Sequence, residues 1–225
     1  MQRVPEPELM NDDEQALAYA HADFAAPHDR FVELFREAFG TSNSTDASPS
    51  RVVDLGCGAA DVTVRFARAF TQCIIDAIDG APAMLRHAET ALLREGLTQR
   101  ITLHCKHLPD TTLEPRVYDT VISNSLLHHL TDPMTLWTSI IHAAAPAARV
   151  FVMDLLRPAS LSEVERLVEL YASDEPQVLR HDFHHSLLAA YGTDELRDQL
   201  NAAGLEHLTV ETVSDRHLIV RGRLD

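Results

Sequence analysis

Val52-Val53-Asp54-Leu55-Gly56-Cys57-Gly58-Ala59-Ala60-Asp61 is the stretch that decides how this chain is read. Branched apolar residues lead into an acid, a Gly-x-Gly turn follows, and a helical pattern starts at Asp61 and runs through Phe66 and Ala69. That order describes a buried parallel strand, a tight turn and a helix N-terminus. Glycine has no Cβ, so the turn can take unusual φ values and let a ligand come close to the backbone. The helix N-terminus behind it offers free N–H groups to a negatively charged ligand group.

Downstream of this unit the pattern keeps alternating. Strands are expected at 73–78, 101–105, 117–123 and 148–154, separated by helices at 82–95 and near 133–144. Pro82 sits in the first turn of its helix and Gly96 just past the end, as favoured at those positions. Alternating strands and helices predict a doubly wound, mostly parallel α/β sheet with right-handed crossovers. A helix over 193–203, capped by Thr193, precedes two extended runs, 205–213 and 216–222. Joined at Ser214-Asp215, they form a hairpin that adds an antiparallel edge strand and brings the sheet to seven strands.

Upstream, residues 1–11 read as a loose leader and 41–50 as a mobile polar loop. Between them Leu17, Ala20 and Phe24 share one helical face behind an Asp12 or Asp13 cap. Phe31, Leu34, Phe35, Ala38 and Phe39 form a second stripe ending at Gly40. The chain thus divides into N-terminal leader and lid helices, 1–50, and a doubly wound α/β domain, 51–225, with a helical insertion at 157–192. A direct connection needs only a few residues, so the insertion has a further task.

The chain has 225 residues and a formal charge of −15, with Lys106 its single lysine. Such a surface is repelled by nucleic-acid phosphates, and no basic run offsets it. No stretch approaches membrane-spanning length and the N-terminus lacks an apolar signal core, so a cytoplasmic protein, monomer or homodimer, is expected. Cys57, Cys73 and Cys105 have neither zinc spacing nor a disulfide pattern and are expected to be buried thiols.

A second acid ends the strand at 73–78. Asp79 lies one βα unit after the glycine turn, where an acid can accept hydrogen bonds from both ribose hydroxyls of a nucleotide. Three segments then resemble the motifs of class I S-adenosylmethionine-dependent methyltransferases. They are Asp54-Leu55-Gly56-Cys57-Gly58, Ile78-Asp79-Gly80-Ala81-Pro82-Ala83-Met84-Leu85, and Tyr118 to Leu130 with Asn124-Ser125 and His128-His129 inside it. The resemblance covers residues 51–155 and departs at Ala60, where the family commonly has a third glycine. It implies S-adenosylmethionine as methyl donor and S-adenosylhomocysteine as product. A dinucleotide reading needs G-x-G-x-x-G, but position 61 is Asp, which would repel a diphosphate and tolerate an ammonium or sulfonium.

The resemblance also implies roles. Asp54 orients the loop, caps the turn, or meets the donor's amino group directly or through water. Gly56, Cys57, Gly58 and Gly80 carry backbone close to the donor, Asp79 takes the ribose, and Met84, Lys106, His107 and Leu108 surround the adenine. Asn124 and Ser125 flank the transferring methyl, and His129 or His128 is the candidate base. Adjacent side chains on a helix diverge by about 100°, so this histidine pair is not expected to share a metal ion. No metal is assigned to His181, His184 and His185 either. Acceptor contacts are expected from Tyr19 and Phe24 on the leader and from Arg157, His181, His184 and Tyr191 on the insertion. The acceptor is expected to be a small molecule. RNA or protein methylation, and a donor-binding module without turnover, are the rivals.

Overall fold

A computed structural model describes residues 1–6, 11–40, 48–110 and 112–224. Positions 7–10 of the leader and 41–47 of the polar loop lie outside them. The strands are β1 (Arg51–Leu55), β2 (Ile74–Asp79), β3 (Ile101–Cys105), β4 (Tyr118–Asn124), β5 (Ala144–Leu155), β6 (Thr209–Thr212) and β7 (His217–Arg223). They form one sheet in the order β3-β2-β1-β4-β5-β7-β6. β1 to β5 are parallel, whereas β7 runs antiparallel to both of its neighbours. The expected antiparallel strand is present but is not at the edge. β7 carries Leu218, Ile219 and Val220, all buried, and takes the inner place, leaving the short, half-exposed β6 outside.

The helices are α1 (Asp13–His21), α2 (Ala25–Phe39), α3 (Asp61–Ala69), α4 (Pro82–Glu95), α5 (Met134–Ala143), α6 (Leu161–Ala172), α7 (Gln177–Ala189) and α8 (Thr193–Ala203). Two apolar cores cover the two faces of the sheet. On one, Trp137 and Ile140 of α5 and Leu196 and Leu200 of α8 pack on Val121, Val150 and Val220. On the other, Phe31 and Phe35 of α2 meet Phe66 of α3 and Phe151 of β5 in edge-on contacts with ring centroids 4.9–5.6 Å apart. Such pairs add about 0.5–1.5 kcal/mol each beyond the area they bury. α2 is therefore part of the main core.

α1 is capped by Asp12, whose carboxylate accepts from the amides of Glu14 and Gln15. Its buried residue is Ala16, and Leu17, expected to face inward, is half exposed. Ala16 packs beside Ala81, Ala83 and Met84, with Tyr19 against the same cluster, so α1 lies across the start of α4. α8 is capped not by Thr193 but by Gly192, whose N–H donates to Glu195 at 2.7 Å. Cys57 and Cys73 are buried. Cys105 is exposed, because β3 is an edge strand and ends there.

Candidate active site

The chain leaves β1 and β2 in one direction across the sheet and β4 and β5 in the other. The carboxyl ends of β1 and β4 therefore flank the point where strand order reverses, which in open parallel sheets is the ligand crevice. A cavity of about 630 Å³ opens there.

The glycine turn forms its floor. Gly56 and Cys57 both donate their amides to the Ile78 carbonyl at 2.8 and 3.0 Å, locking the turn onto the end of β2. Gly56 and Gly58 have φ of +77° and +53°, and a Cβ on Gly58 would come within 3.1 Å of the Met84 methyl. At Ala60 an added methyl costs little only where φ is negative, and here it is not. Ala60 has φ of +67° as N-cap of α3, a left-handed conformation that costs an L-residue about 1–2 kcal/mol. Ser125, at the end of β4, is also left-handed, with φ of +54°.

Acids converge on this floor. Asp54 is buried and accepts from the Thr63 hydroxyl at 2.6 Å. Burial pushes its carboxyl up to about 7, against the Thr63 hydrogen bond and with help from the Asp79 charge. Asp79 accepts from the Gly58 amide and the Ala81 amide, each at 2.8 Å. Burial raises its carboxyl above the usual range despite those two bonds. Asp61 is different. Burial alone would raise it, but hydrogen bonds from His28 and Arg65 outweigh that and hold it at about 2. It faces His28 at 2.6 Å and Arg65 at 2.9 Å.

Gly80, Met84, Lys106, His107, Leu108, Asn124, Ser125, Tyr19 and Phe24 all line the same cavity, as do both histidines of the 128–129 pair. The Tyr19 and Phe24 rings, 4.8 Å apart, come from the leader. Burial, with Asp61, Asp79 and Asp154 nearby, pushes the Tyr19 phenol up to about 12, so it stays a hydroxyl.

The histidine pair stands in a short 3-10 turn, Leu127–His129, after β4. The two rings do not diverge as an ideal helix would require; their centroids are 4.2 Å apart. His128 is fixed by Asp154, at the end of β5, with Nδ1 2.5 Å from the carboxylate. Asp154 also accepts from the Leu127 and Leu155 amides at 2.8 and 2.7 Å. Burial opposes charge at both partners, yet their mutual attraction prevails. His128 is held above the ordinary histidine range and Asp154 below the ordinary carboxylate range.

Four expected acceptor contacts lie elsewhere. Arg157 pairs with Glu195 at 2.8 Å and reaches the Ala190 carbonyl. Tyr191 is buried under the Arg3 guanidinium, 4.1 Å from its ring centre. α7 turns Leu179, Asp182, Phe183 and Ser186 to the cavity, the 3.6-residue stripe of one helix face. His181 and His184 fall off that stripe, and His185 Nδ1 donates to the His181 carbonyl. The insertion does reach the cavity, through different residues. Thr63, Asp154, Asp182, Phe183 and Glu6 were missed. Only Asp154 had a readable signal, an acid at the carboxyl end of a parallel strand.

Residues 52–147 match the family model described as a methyltransferase domain. A carboxy-S-adenosyl-L-methionine synthase of Trichlorobacter lovleyi is 29% identical over 169 residues, covering 73% of this chain and 64% of that protein. A ubiquinone biosynthesis O-methyltransferase of Xanthomonas euvesicatoria is 31% identical over 127 residues, 54% of this chain and 50% of that protein. The chain thus spans less than two thirds of the length of these curated relatives. Among solved structures, an S-adenosylmethionine-dependent methyltransferase from Aquifex aeolicus aligns with a TM-score of 0.70 at 16% identity, covering 95% of this chain and 99% of that one. The plantazolicin methyltransferase BpumL, in complex with a triazolic desmethylPZN analog and SAH, aligns with a TM-score of 0.74 at 11% identity, covering 95% and 92%. The likeness to these two structures is one of fold.

Proposed function

We propose that this chain is a class I S-adenosylmethionine-dependent methyltransferase and that it methylates a small-molecule acceptor held between the glycine turn and the insertion. One observation carries the reading. A single cavity joins a glycine floor bearing Asp54 and Asp79 to a far wall of His128, His129 and Phe183. The first set suits a ligand with an ammonium group and a ribose diol; the second suits an acceptor.

Asp79 accepts from the ribose hydroxyls, and Asp54 balances the ammonium group. Met84 and Leu108 give the adenine apolar contacts, and Lys106 and His107 edge the same part of the cavity. Asn124 and Ser125, at the end of β4, flank the reacting centre, and Tyr19 and Phe24 close over it and exclude water. The donor supplies a methyl already activated on sulfonium. The acceptor's lone pair forms the new bond to carbon while the C–S pair returns to sulfur, so positioning does most of the work. The His128–His129 pair acts on the acceptor side.

Asp54 makes donor affinity depend on pH. With its carboxyl near 7, it is protonated in the free protein below that pH, and an ammonium ligand favours the ionised form. Binding therefore expels a proton below pH 7 and none well above it. Affinity should fall about tenfold per pH unit from 7 toward 5 and level off above 7.5. Calorimetry across that range, in buffers of different ionisation enthalpy, checks this. A flat profile would place the ammonium elsewhere.

Incubation with methyl-labelled donor and a metabolite extract tests the function itself. The label should pass into small, filterable products, consistent with the net charge of −15. Label recovered in RNA or protein would overturn the acceptor class. Donor binding without any transfer to small molecules, RNA or protein would instead favour a non-catalytic module.

A further inference from the structure

Residues 1–6 run beside the histidine turn and are tied down there. The Val4 amide donates to the Leu188 carbonyl at 3.0 Å. The Arg3 guanidinium reaches the carbonyls of Ala189, His128 and Leu130. Ser186 on α7 donates to the Glu6 carboxylate at 3.1 Å. This anchoring sets Glu6 against both histidines, with its Oε1 3.5 Å from His128 Nε2 and 3.2 Å from His129 Nδ1. All three ligand atoms lie within 4.8 Å of one another.

We propose that Glu6, His128 and His129 form a three-ligand site for a divalent transition-metal ion of the zinc type, through Glu6 Oε1, His128 Nε2 and His129 Nδ1. The donor set is right for such an ion, since two imidazoles and a carboxylate leave a fourth position open. The spacing also fits. Ligands about 2.0–2.1 Å from a tetrahedral ion are about 3.3–3.4 Å apart. A charge-assisted N–H···O contact would instead settle near 2.7–2.9 Å. The observed 3.2 and 3.5 Å match the edges of a coordination shell.

The outer groups are arranged accordingly. Asp154, held by two backbone amides, accepts the Nδ1–H hydrogen bond of His128, which leaves Nε2 facing Glu6, where a bound ion would displace its proton. Such a carboxylate behind a ligating histidine fixes its tautomer and raises its basicity. Ser186 donates to the Glu6 carboxylate and orients it. Both histidines line the cavity, so an ion they hold is open to an acceptor's oxygen or nitrogen on that side. This use of the ion rests on the methyl-transfer reading; the site itself does not.

The test is a titration of the tag-free full chain with Co²⁺, followed by the visible bands of imidazole coordination and by Zn²⁺ competition. S-adenosylhomocysteine calorimetry is run on the same samples. One Co²⁺ per chain should bind with a Kd of about 10 µM or tighter. Glu6→Gln and His129→Ala should each weaken it by at least about 30-fold while S-adenosylhomocysteine affinity stays within about threefold. The double variant His181→Ala/His185→Ala should bind Co²⁺ as the parent does. No saturable band in a chain that binds S-adenosylhomocysteine overturns the site. Binding that survives both ligand substitutions, or that is lost with His181 and His185, overturns it too. Stoichiometric Co²⁺ binding by a chain indifferent to S-adenosylhomocysteine would uphold the site and overturn the methyl-transfer reading.

Discussion

Gly56→Val removes donor binding, the largest single effect expected in this protein. Gly56 has φ of +77°, and a Cβ there would stand 2.8–2.9 Å from three side-chain atoms of Leu126. One of the three is the Leu126 Cβ, which cannot swing aside without moving the backbone that leads into the histidine turn. A branched residue adds about 1–2 kcal/mol of left-handed strain to that collision. The turn must rearrange, and the amide bonds from Gly56 and Cys57 to Ile78 go with it. S-adenosylhomocysteine affinity should fall by more than about 100-fold, over 2.7 kcal/mol. Calorimetry on a variant shown folded by circular dichroism reads this. A folded valine variant with unchanged affinity would remove the glycine turn from the donor site.

Asp79→Ala carries the second largest effect. The carboxylate holds the Gly58 and Ala81 amides and keeps lone pairs for a diol, so on the proposed reading alanine removes a ligand contact and the anchor of the loop together. Losing charge-assisted hydrogen bonds to the ligand should cost about 2–4 kcal/mol of affinity. Asp79→Asn separates the two roles. An amide oxygen can still accept from one backbone N–H, so thermal stability should recover more than affinity does. Equal recovery of both, or unchanged affinity in a folded alanine variant, would reduce Asp79 to a support for the start of α4.

Much of the fold was legible because its signals are local. β1 and β2 are apolar-rich runs closed by a glycine and an acid, and the boundaries of α3, α4, β3 and α8 fall where the alternating pattern puts them. The glycine floor and Asp79 were legible for the same reason. What escaped depends on distance. Nothing in 205–222 says which arm of the hairpin pairs with β5; that is decided by which arm buries more apolar surface. The rotation of α7 about its axis decides between His184 and Phe183, and a mixed stripe of both kinds leaves it open. Glu6 meets its histidines across more than 120 residues, and a polar leader gives no hint of that partner. The strain at Ala60 was invisible because composition does not report φ.

Calorimetric titration of the purified chain with S-adenosylhomocysteine, set beside NAD under the same conditions, tests the central claim most directly. The account predicts one saturable S-adenosylhomocysteine site per chain and no measurable NAD binding, since Asp54, Asp61 and Asp79 favour a ligand bearing an ammonium group and oppose a diphosphate. Saturable NAD binding, or an S-adenosylhomocysteine titration with no binding heat at several temperatures, would contradict it.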